Sequence, residues 1–451
     1  MRLVVLAAAS ALRGGPSRRA RRTVCRAKPG TRRAALAAFS LTTLPTAARA
    51  DIGPDSQYNL WPALPVAPYS RRKTIRRQIK DDVWVFDQII GIYYVHVPIR
   101  MTVIRGETGL LVYAPVAPTK ECLSLLEELI QQYGPVQTII LPSVAVEHKV
   151  LAGPFARRFP SADFYATDKQ YAFPVNLPSS FLGLPPWTQP LPASSRGAGA
   201  VPWAGEFEHE VLRVKPGVGS DYQDAAFYHR PTQTLLICDA LYACTEEPPA
   251  ILQSCPEYVA GLLFHARDRP EEVPADTPEN RRKGWRRIIL YANYFIPGAA
   301  VADLGPGPVV AALRQPGYPS GWGGWLPFQW RGTELRDFEQ FAGGGKPNIL
   351  PIIQIILARG PEALEAWVGA IKGWDFKRVV PAHLDAPLDI GPAEFAATFD
   401  QAFGRGKNEV RSCDEDVQFL RRAEEGPLNF SVYRSPLGTL RGAAGECGLR
   451  A

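Results

Sequence analysis

The stretch Val136–Tyr165, VQTIILPSVAVEHKVLAGPFARRFPSADFY, decides the fold. Its apolar run at Gln137–Leu141 predicts a strand covered on both faces. Lys149–Phe159 then predicts a helix, and a second strand begins at Asp163. Loop residues at the carboxyl end of such a strand can point into a crevice. The segment Ser143–His148 has that position, so functional side chains are expected there.

The residues before this stretch predict a hairpin and a helix. Arg100–Arg105 and Gly109–Tyr113 are two short β-type runs separated by a connection of hairpin length. Thr119–Tyr133 carries an apolar stripe with a period of 3.6 residues, bounded by Pro118 and Gly134. The order strand, hairpin, helix, strand is therefore expected up to the decisive stretch.

Two later strands end in residues with ligand chemistry. Thr234–Asp239 is an apolar strand that ends in a carboxylate, and the strand Phe376–Val380 is followed by Pro-Ala-His383. Two long segments rich in Pro, Gly or Trp, 166–205 and 245–346, are predicted insertions. The aromatic residues of 171–187 predict a packed lid. In the second insertion Arg281–Phe295 predicts a helix, and Pro297–Trp330 is interpreted as an irregular excursion pinned by buried aromatics, with a substrate wall as the alternative.

These motifs, in this order, resemble those of the metallo-β-lactamase superfamily, whose signature at the first strand end is His-x-His-x-Asp-His. On that pattern Ser143 and Ala145 replace the first two His residues. Glu147 replaces the Asp, and His148 keeps the last His. The resemblance implies an α/β fold, an αββα sandwich over residues 83–403 with two insertions. Three stretches, Glu147–Lys149, Gly153–Arg157 and Phe173–Pro178, also resemble those of an uncharacterised plastid and cyanobacterial family of this fold.

The resemblance also implies which half of a two-metal site survives. The positions of the first metal site are Ser143, Ala145 and Val214, and none of these side chains is a strong ligand for a transition metal. The implied ligands of the second metal are Glu147, His148, Asp239 and His383. Two imidazoles and two carboxylates suit one zinc, iron or manganese ion. A pocket maintained without any metal and a rebuilt two-metal site are the alternatives.

Two functions stay open at this point. The loss of three ligand positions favours a non-catalytic or weakly catalytic binding or assembly protein on an enzyme scaffold, because a fold does not imply a function. The alternative is a single-metal hydrolase of an ester, lactone or thioester, in which Asp239 or Glu147 would be the catalytic residue that orients or deprotonates water. Nothing in the sequence names a substrate or a protein partner.

The amino terminus has the composition of a targeting presequence. Residues 1–50 hold eleven Arg or Lys and no acidic residue. Arg32-Arg33 precede the apolar run Ala34–Leu44, and Ala48-Arg49-Ala50 follows it. Two such signals in series resemble the bipartite presequences of thylakoid-lumen proteins, so a chloroplast location, in the lumen, is predicted. A mitochondrial or secretory signal is the alternative.

Charge and hydropathy limit the partners. Without residues 1–50 the chain keeps 40 Lys and Arg against 44 Asp and Glu, so its global charge does not suggest nucleic-acid binding. No apolar run is long enough to span a bilayer. The basic segment Arg71–Lys80, in a predicted lead-in over 51–82, is interpreted as a solvated stretch, with contact to anionic lipid or an acidic partner as the alternative. Residues 404–451 are predicted to form a surface tail.

Overall fold

The computed structural model describes residues 72–420, with gaps at 93, 169, 171–181, 197–200, 216–220, 304, 308–309, 311–325, 327, 403–415 and 417–419. The predicted presequence and most of the predicted tail and lid therefore lie outside the described residues.

The first sheet contains the decisive stretch. Its seven strands lie in chain order: β1 (Ile75–Lys80), β2 (Val83–Ile92), β3 (Val95–Gly106), β4 (Gly109–Tyr113), β5 (Val136–Leu141), β6 (Asp163–Ala166) and β7 (Gln189–Pro190). β1 to β4 are antiparallel neighbours, whereas β4 to β7 run parallel. The carboxyl end of β5 is therefore flanked by two parallel strands, which is where open sheets place ligand sites.

The second sheet supplies the other two strand ends of interest. Its strands are β8 (Phe207–Val214), β9 (Tyr222–His229), β10 (Thr234–Ile237) and, after a two-stranded pair of β11 (Ala300–Ala302) and β12 (Phe328–Trp330), β13 (Arg378–Pro381). The sheet order is β13-β10-β9-β8, and β10 runs parallel to β13. Both of these strands therefore end at the same edge of the sheet.

Eight α-helices lie in the described part of the chain. They are α1 (Lys120–Tyr133), α2 (Val146–Ala156), α3 (Pro256–Ala266), α4 (Pro278–Tyr294), α5 (Glu334–Ala342), α6 (Pro351–Leu357), α7 (Pro361–Lys372) and α8 (Pro392–Ala402). The Thr119 hydroxyl accepts a hydrogen bond from the Cys122 amide, and Gly134 ends α1 with a positive φ. These are the two boundaries that the sequence predicts for this helix.

Side chains alternate between the two faces of each strand, and this alternation defines the layers of the fold. Leu236 and Ile140 belong to the core between the sheets, whereas Leu235 and Ile237 pack against the helices outside the second sheet. Ile139 faces α1 and α2 outside the first sheet. Two sheets therefore pack face to face with helices on both outer sides, and the predicted αββα sandwich is confirmed.

The second insertion is more regular than the sequence predicts. The helix predicted at Arg281–Phe295 is confirmed as α4, and with α3 and α5, which the sequence did not predict, it surrounds a core that includes Tyr258, Leu262 and Trp285. Much of Pro297–Trp330, the predicted irregular excursion, lies outside the described residues. The α3–α4 contact is very close: a Cβ built on Gly284 would lie 1.9 Å from the Leu262 carbonyl oxygen. This helical region packs on the β2–β3 hairpin through Ile89.

The predicted lead-in and tail both contain parts of the folded domain. β1 lies within 51–82 as a strand of the first sheet, so a solvated lead-in is wrong there. Arg77 pairs with Asp87 at 3.0 Å, and Arg76 and Lys73 also form ion pairs with carboxylates of this domain. In the tail, Asp416 and Leu420 are buried, so a surface tail is wrong at these two positions. Among the described residues, no helix is long and apolar enough to cross a membrane.

The described end of the predicted lid is only partly packed. Residues 171–181 lie outside the described residues. After them, Leu184 is 3 % exposed and joins the core beside α2, whereas Trp187 is 36 % exposed. The packed-lid prediction therefore stays a prediction for most of its length.

Candidate metal centre

Three strand ends meet at one edge of the sandwich. Ser143 follows β5 and forms an isolated bridge with Asp224 of β9, and the Ala225 amide donates to the Pro142 carbonyl. These contacts join the two sheets at the point where α2 begins. Asp239 follows β10 and His383 follows β13, so both lie at the same edge.

The ligand atoms of His148, Asp239 and His383 converge. The two Nε2 atoms lie 3.0 Å apart, and Asp239 Oδ1 lies 3.4 Å from His148 Nε2 and 3.2 Å from His383 Nε2. Tetrahedral zinc with bonds of about 2.0–2.1 Å places neighbouring ligand atoms roughly 3.3–3.4 Å apart. The three atoms therefore form one face of a site that fits such an ion. No second group of three potential ligands occurs among the described residues.

The hydrogen bonds of His383 orient its ring toward this centre. His383 Nδ1 lies 2.9 Å from the carbonyl oxygen of Pro98. A carbonyl only accepts, so Nδ1 carries the proton and Nε2 presents its lone pair to the other two residues. A histidine ligand held by a carbonyl in this way is a common arrangement at metal sites.

Asp239 uses both of its carboxylate oxygens. Oδ1 faces the two imidazoles, and Oδ2 accepts a hydrogen bond of 2.8 Å from the Ser143 hydroxyl. Burial raises the pKa of Asp239, but His148 and His383 outweigh this effect and hold it well below its usual range. Burial lowers the pKa of His383, but the Asp239 carboxylate outweighs this effect, so the pKa of His383 is raised overall. Ser143, which stands where the superfamily motif has a His, thus holds the second carboxylate oxygen of Asp239.

Asp224 is a buried acidic residue that the sequence reasoning missed. Its carboxylate accepts hydrogen bonds from the amides of Cys238, Asp239 and Ala240 at 3.1, 2.6 and 2.7 Å. Burial, together with the charge of Asp239, raises the pKa of Asp224 to about 7 although the three amides lower it. The turn after β10 is therefore built on this side chain. An acidic residue inside an apolar strand was the available signal.

Glu147, the fourth predicted ligand, does not join the converging atoms. The helix α2 begins at Val146, three residues before the predicted start, so Glu147 and His148 are consecutive residues of its first turn. Consecutive helical side chains diverge by roughly 100°. His148 is fully buried, whereas Glu147 is half-buried. Its negative charge acts to raise the pKa of Lys149 and of His383.

The positions that the resemblance assigns to a first metal site make other interactions. Ala145 precedes α2, and its amide donates to the Ser143 hydroxyl at 3.1 Å. Val214 is 1 % exposed and packs in the core between the second sheet and the outer helices. Neither side chain has a donor atom for a metal.

An αββα sandwich with a His, Asp and His centre at its strand ends defines a protein with the metallo-β-lactamase-like fold. More narrowly, the chain belongs to the family described as domain of unknown function DUF4336, whose model matches residues 80–401. No curated protein matches the sequence.

Solved structures with a similar fold share little sequence with this chain. The DIM-1 metallo-β-lactamase exposed to ceftazidime is 10% identical, covers 73% of this chain and 98% of its own, and has a TM-score of 0.34. A metallo-β-lactamase from Pontibacter korlensis is 11% identical with 73% and 99% covered and a TM-score of 0.33. The metal-soaked Flv1 flavodiiron core from Synechocystis sp. is 11% identical with 73% and 60% covered and a TM-score of 0.37.

Proposed function

We propose that this protein binds one divalent transition-metal ion through His148, Asp239 and His383 and hydrolyses an ester, lactone or thioester. The observation that carries this proposal is the convergence of two imidazole nitrogens and one carboxylate oxygen within 3.0–3.4 Å. Three protein ligands leave a coordination position open, which is typical of catalytic sites. A metal there supplies a Lewis acid that polarises a carbonyl group and acidifies water.

The donor set fits a cation better than an unoccupied cluster of polar groups. The proton on His383 Nδ1 leaves its Nε2 as an acceptor that faces His148 Nε2. Two nitrogens this close need a shared proton or a shared cation between them, and the adjacent Asp239 carboxylate favours positive charge at that point. Imidazole and carboxylate ligands suit zinc, iron or manganese.

The roles of the remaining side chains follow from their contacts. The hydroxyl of Ser143 holds Asp239 Oδ2, so Asp239 acts as a ligand and has no free oxygen to accept a proton. The Glu147 carboxylate is half-buried, and its charge is close enough to raise the pKa of His383. We therefore assign the role of general base to Glu147. Substrate approaches on the side of His383, whose side chain is 13 % exposed while that of His148 is 0 % exposed.

Metal content tests the site. The purified chain is expected to hold about one zinc, iron or manganese ion, and His148→Ala is expected to empty the site because an imidazole ligand is lost. His209→Gln is the matched control, because His209 is a buried histidine whose Nδ1 accepts from Trp203 Nε1 at 3.2 Å, away from the centre. Wild-type protein that holds no metal and takes up none on addition would contradict the proposal.

A second function is supported by the burial of the centre. A non-catalytic or weakly catalytic binding or assembly protein would use the metal, or the bare polar cluster, to hold three strand ends together. The lost ligand positions favour it, since Ser143 and Val214 are packed rather than open. Metal-loaded protein that cleaves no activated ester, lactone or thioester, and in which Glu147→Gln changes nothing, would favour this function.

We also propose a chloroplast location, in the thylakoid lumen, on the pattern of residues 1–50.

A further inference from the structure

One buried guanidinium group holds both sides of the segment that carries His383. Arg100 lies on β3 and is 3 % exposed. Its Nη1 donates to the Pro381 carbonyl and its Nη2 donates to the Leu384 carbonyl, both at 2.8 Å. The two carbonyls precede and follow His383 in the chain. One rigid, planar group thus sets the position of the backbone on either side of the histidine.

Backbone contacts from the same strand reinforce this arrangement. The Arg100 amide donates to the Ala382 carbonyl at 2.7 Å, and Pro98 supplies the carbonyl that His383 Nδ1 contacts. Leu384 has a φ of 56°, a left-handed conformation that a side chain such as leucine rarely adopts. Such a conformation persists where surrounding contacts hold it. Arg100 supplies one of these contacts at the Leu384 carbonyl.

A carboxylate on the neighbouring strand orients Arg100. Asp87 Oδ1 lies 2.7 Å from Arg100 Nε, and Asp87 Oδ2 accepts from Arg77 Nη2 at 3.0 Å. Arg77 also donates to the Ala386 carbonyl at 3.3 Å, so it reaches the same segment further along the chain. Asp87 thus compensates the charge of Arg100 and directs its two Nη atoms toward the carbonyls.

We propose that Arg100, oriented by Asp87, is a positioning residue for the metal centre and directs His383 Nε2 toward His148 and Asp239. The inference rests on the proposed function, because it concerns the same metal ligands. The hydrogen bonds of Arg100 to this segment go to backbone carbonyls, so it acts through the backbone of residues 381–384. Only the planar guanidinium reaches Asp87 and both carbonyls at once, because a lysine has a single nitrogen at the end of its chain.

The test is Arg100→Lys, with Arg105→Lys as the matched control. Arg105 lies on the same strand, but its side chain is 51 % exposed and pairs with Asp82 at 3.3 Å. Zinc affinity is measured by chelator competition, and the ligand geometry is read from the visible absorption of the cobalt-substituted protein. Arg100→Lys is expected to weaken zinc binding about 10- to 100-fold, which is the usual effect of mutating a residue that orients a metal ligand. The same variant is expected to alter the cobalt spectrum. Arg105→Lys is expected to leave both unchanged.

The possible results separate this inference from the proposed function. Wild-type affinity and spectrum in Arg100→Lys would overturn the positioning role and leave the metal site intact. If the wild-type protein binds no metal, the proposed function fails. Positioning is then read from the imidazole Nδ1–H resonance of His383, assigned by its loss in His383→Gln. That resonance is expected to exchange slowly in the wild type and quickly in Arg100→Lys, and equal exchange would overturn the inference.

A second variant covers the case in which Arg100→Lys does not fold. Asp87→Asn keeps the size of the side chain but removes the charge that orients Arg100 and Arg77. It is expected to weaken zinc binding in the same direction and to a smaller extent. Unchanged affinity in folded Asp87→Asn would overturn the role of Asp87 and with it the proposed arrangement.

Discussion

Replacement of Ser143 by alanine tests the support of the metal centre without removing a ligand. In the structure the Ser143 hydroxyl donates to Asp239 Oδ2 at 2.8 Å and accepts from the Ala145 amide at 3.1 Å. The side chain is fully buried. Ser143→Ala therefore removes two hydrogen bonds and leaves no room for bulk water to replace the hydroxyl.

The magnitude follows from the charge of the acceptor. A hydrogen bond to a buried charged group contributes about 1.5–3 kcal/mol, and a neutral one about 0.5–1.5 kcal/mol. The free energy of unfolding of the metal-free protein is therefore expected to fall by roughly 2–4 kcal/mol. Asp239 also loses the group that fixes its second oxygen, and such losses weaken metal binding about 10- to 100-fold.

Chemical denaturation of the metal-free protein and chelator competition measure the two effects. Ser195→Ala is the control, because the Ser195 hydroxyl accepts from the His209 amide at 3.2 Å and lies away from the centre. The control is expected to lower the free energy of unfolding by about 1 kcal/mol and to leave metal affinity unchanged. Equal metal affinity in wild type and Ser143→Ala would refute the reasoning that Ser143 holds Asp239 as a ligand.

Three further predictions concern pH, packing and processing. Burial lowers the pKa of three histidines to about 4: His96, His209 and His229. Between about pH 4 and about pH 6.5 the unfolded chain therefore binds more protons than the folded chain. Each of these histidines is expected to lower the free energy of unfolding by about 2 kcal/mol when the pH falls from 7 to 5, which denaturation at both pH values measures. Gly284→Ala is expected to lower the melting temperature by several degrees, because its Cβ would lie 1.9 Å from the Leu262 carbonyl oxygen; an unchanged melting temperature would contradict the close helix contact. The mature chain is expected to begin near Asp51, and amino-terminal sequencing that finds residues 1–50 retained would refute the predicted processing.

Local patterns were enough to predict the strands and helices that flank the site. The continuous apolar run Leu235–Ile237 is typical of a strand covered on both faces, and in the structure these residues do alternate between two cores. Thr119 and Gly134 bound α1 because the chemistry of a helix end depends on a few adjacent residues. The start of α2 was predicted three residues late, since Ala145 offers no side chain that marks a helix start.

The approximate location of the site also followed from the order of motifs along the chain. A predicted strand precedes each of the three positions: Ser143–His148, Asp239 and His383. Loops that follow strands ending at the same edge of a sandwich lie close together. What the order could not decide was which side chains face each other. Glu147 and His148 are neighbours in sequence, yet only His148 lies among the converging atoms, because the first turn of a helix turns consecutive residues apart.

The tertiary structure alone decided how the ligands are held. Ser143 is 96 residues from Asp239, and Arg100 is more than 280 residues from the carbonyls that it contacts. No local period or composition in the sequence marks such contacts, because they form only when distant strands pack at one edge. Asp224 is an example: within an apolar strand it is an unexplained acid, and only the fold brings the three amides after β10 to its carboxylate. The sequence by itself thus determined the layers and the strand ends, and the packing of those layers determined the geometry of the centre.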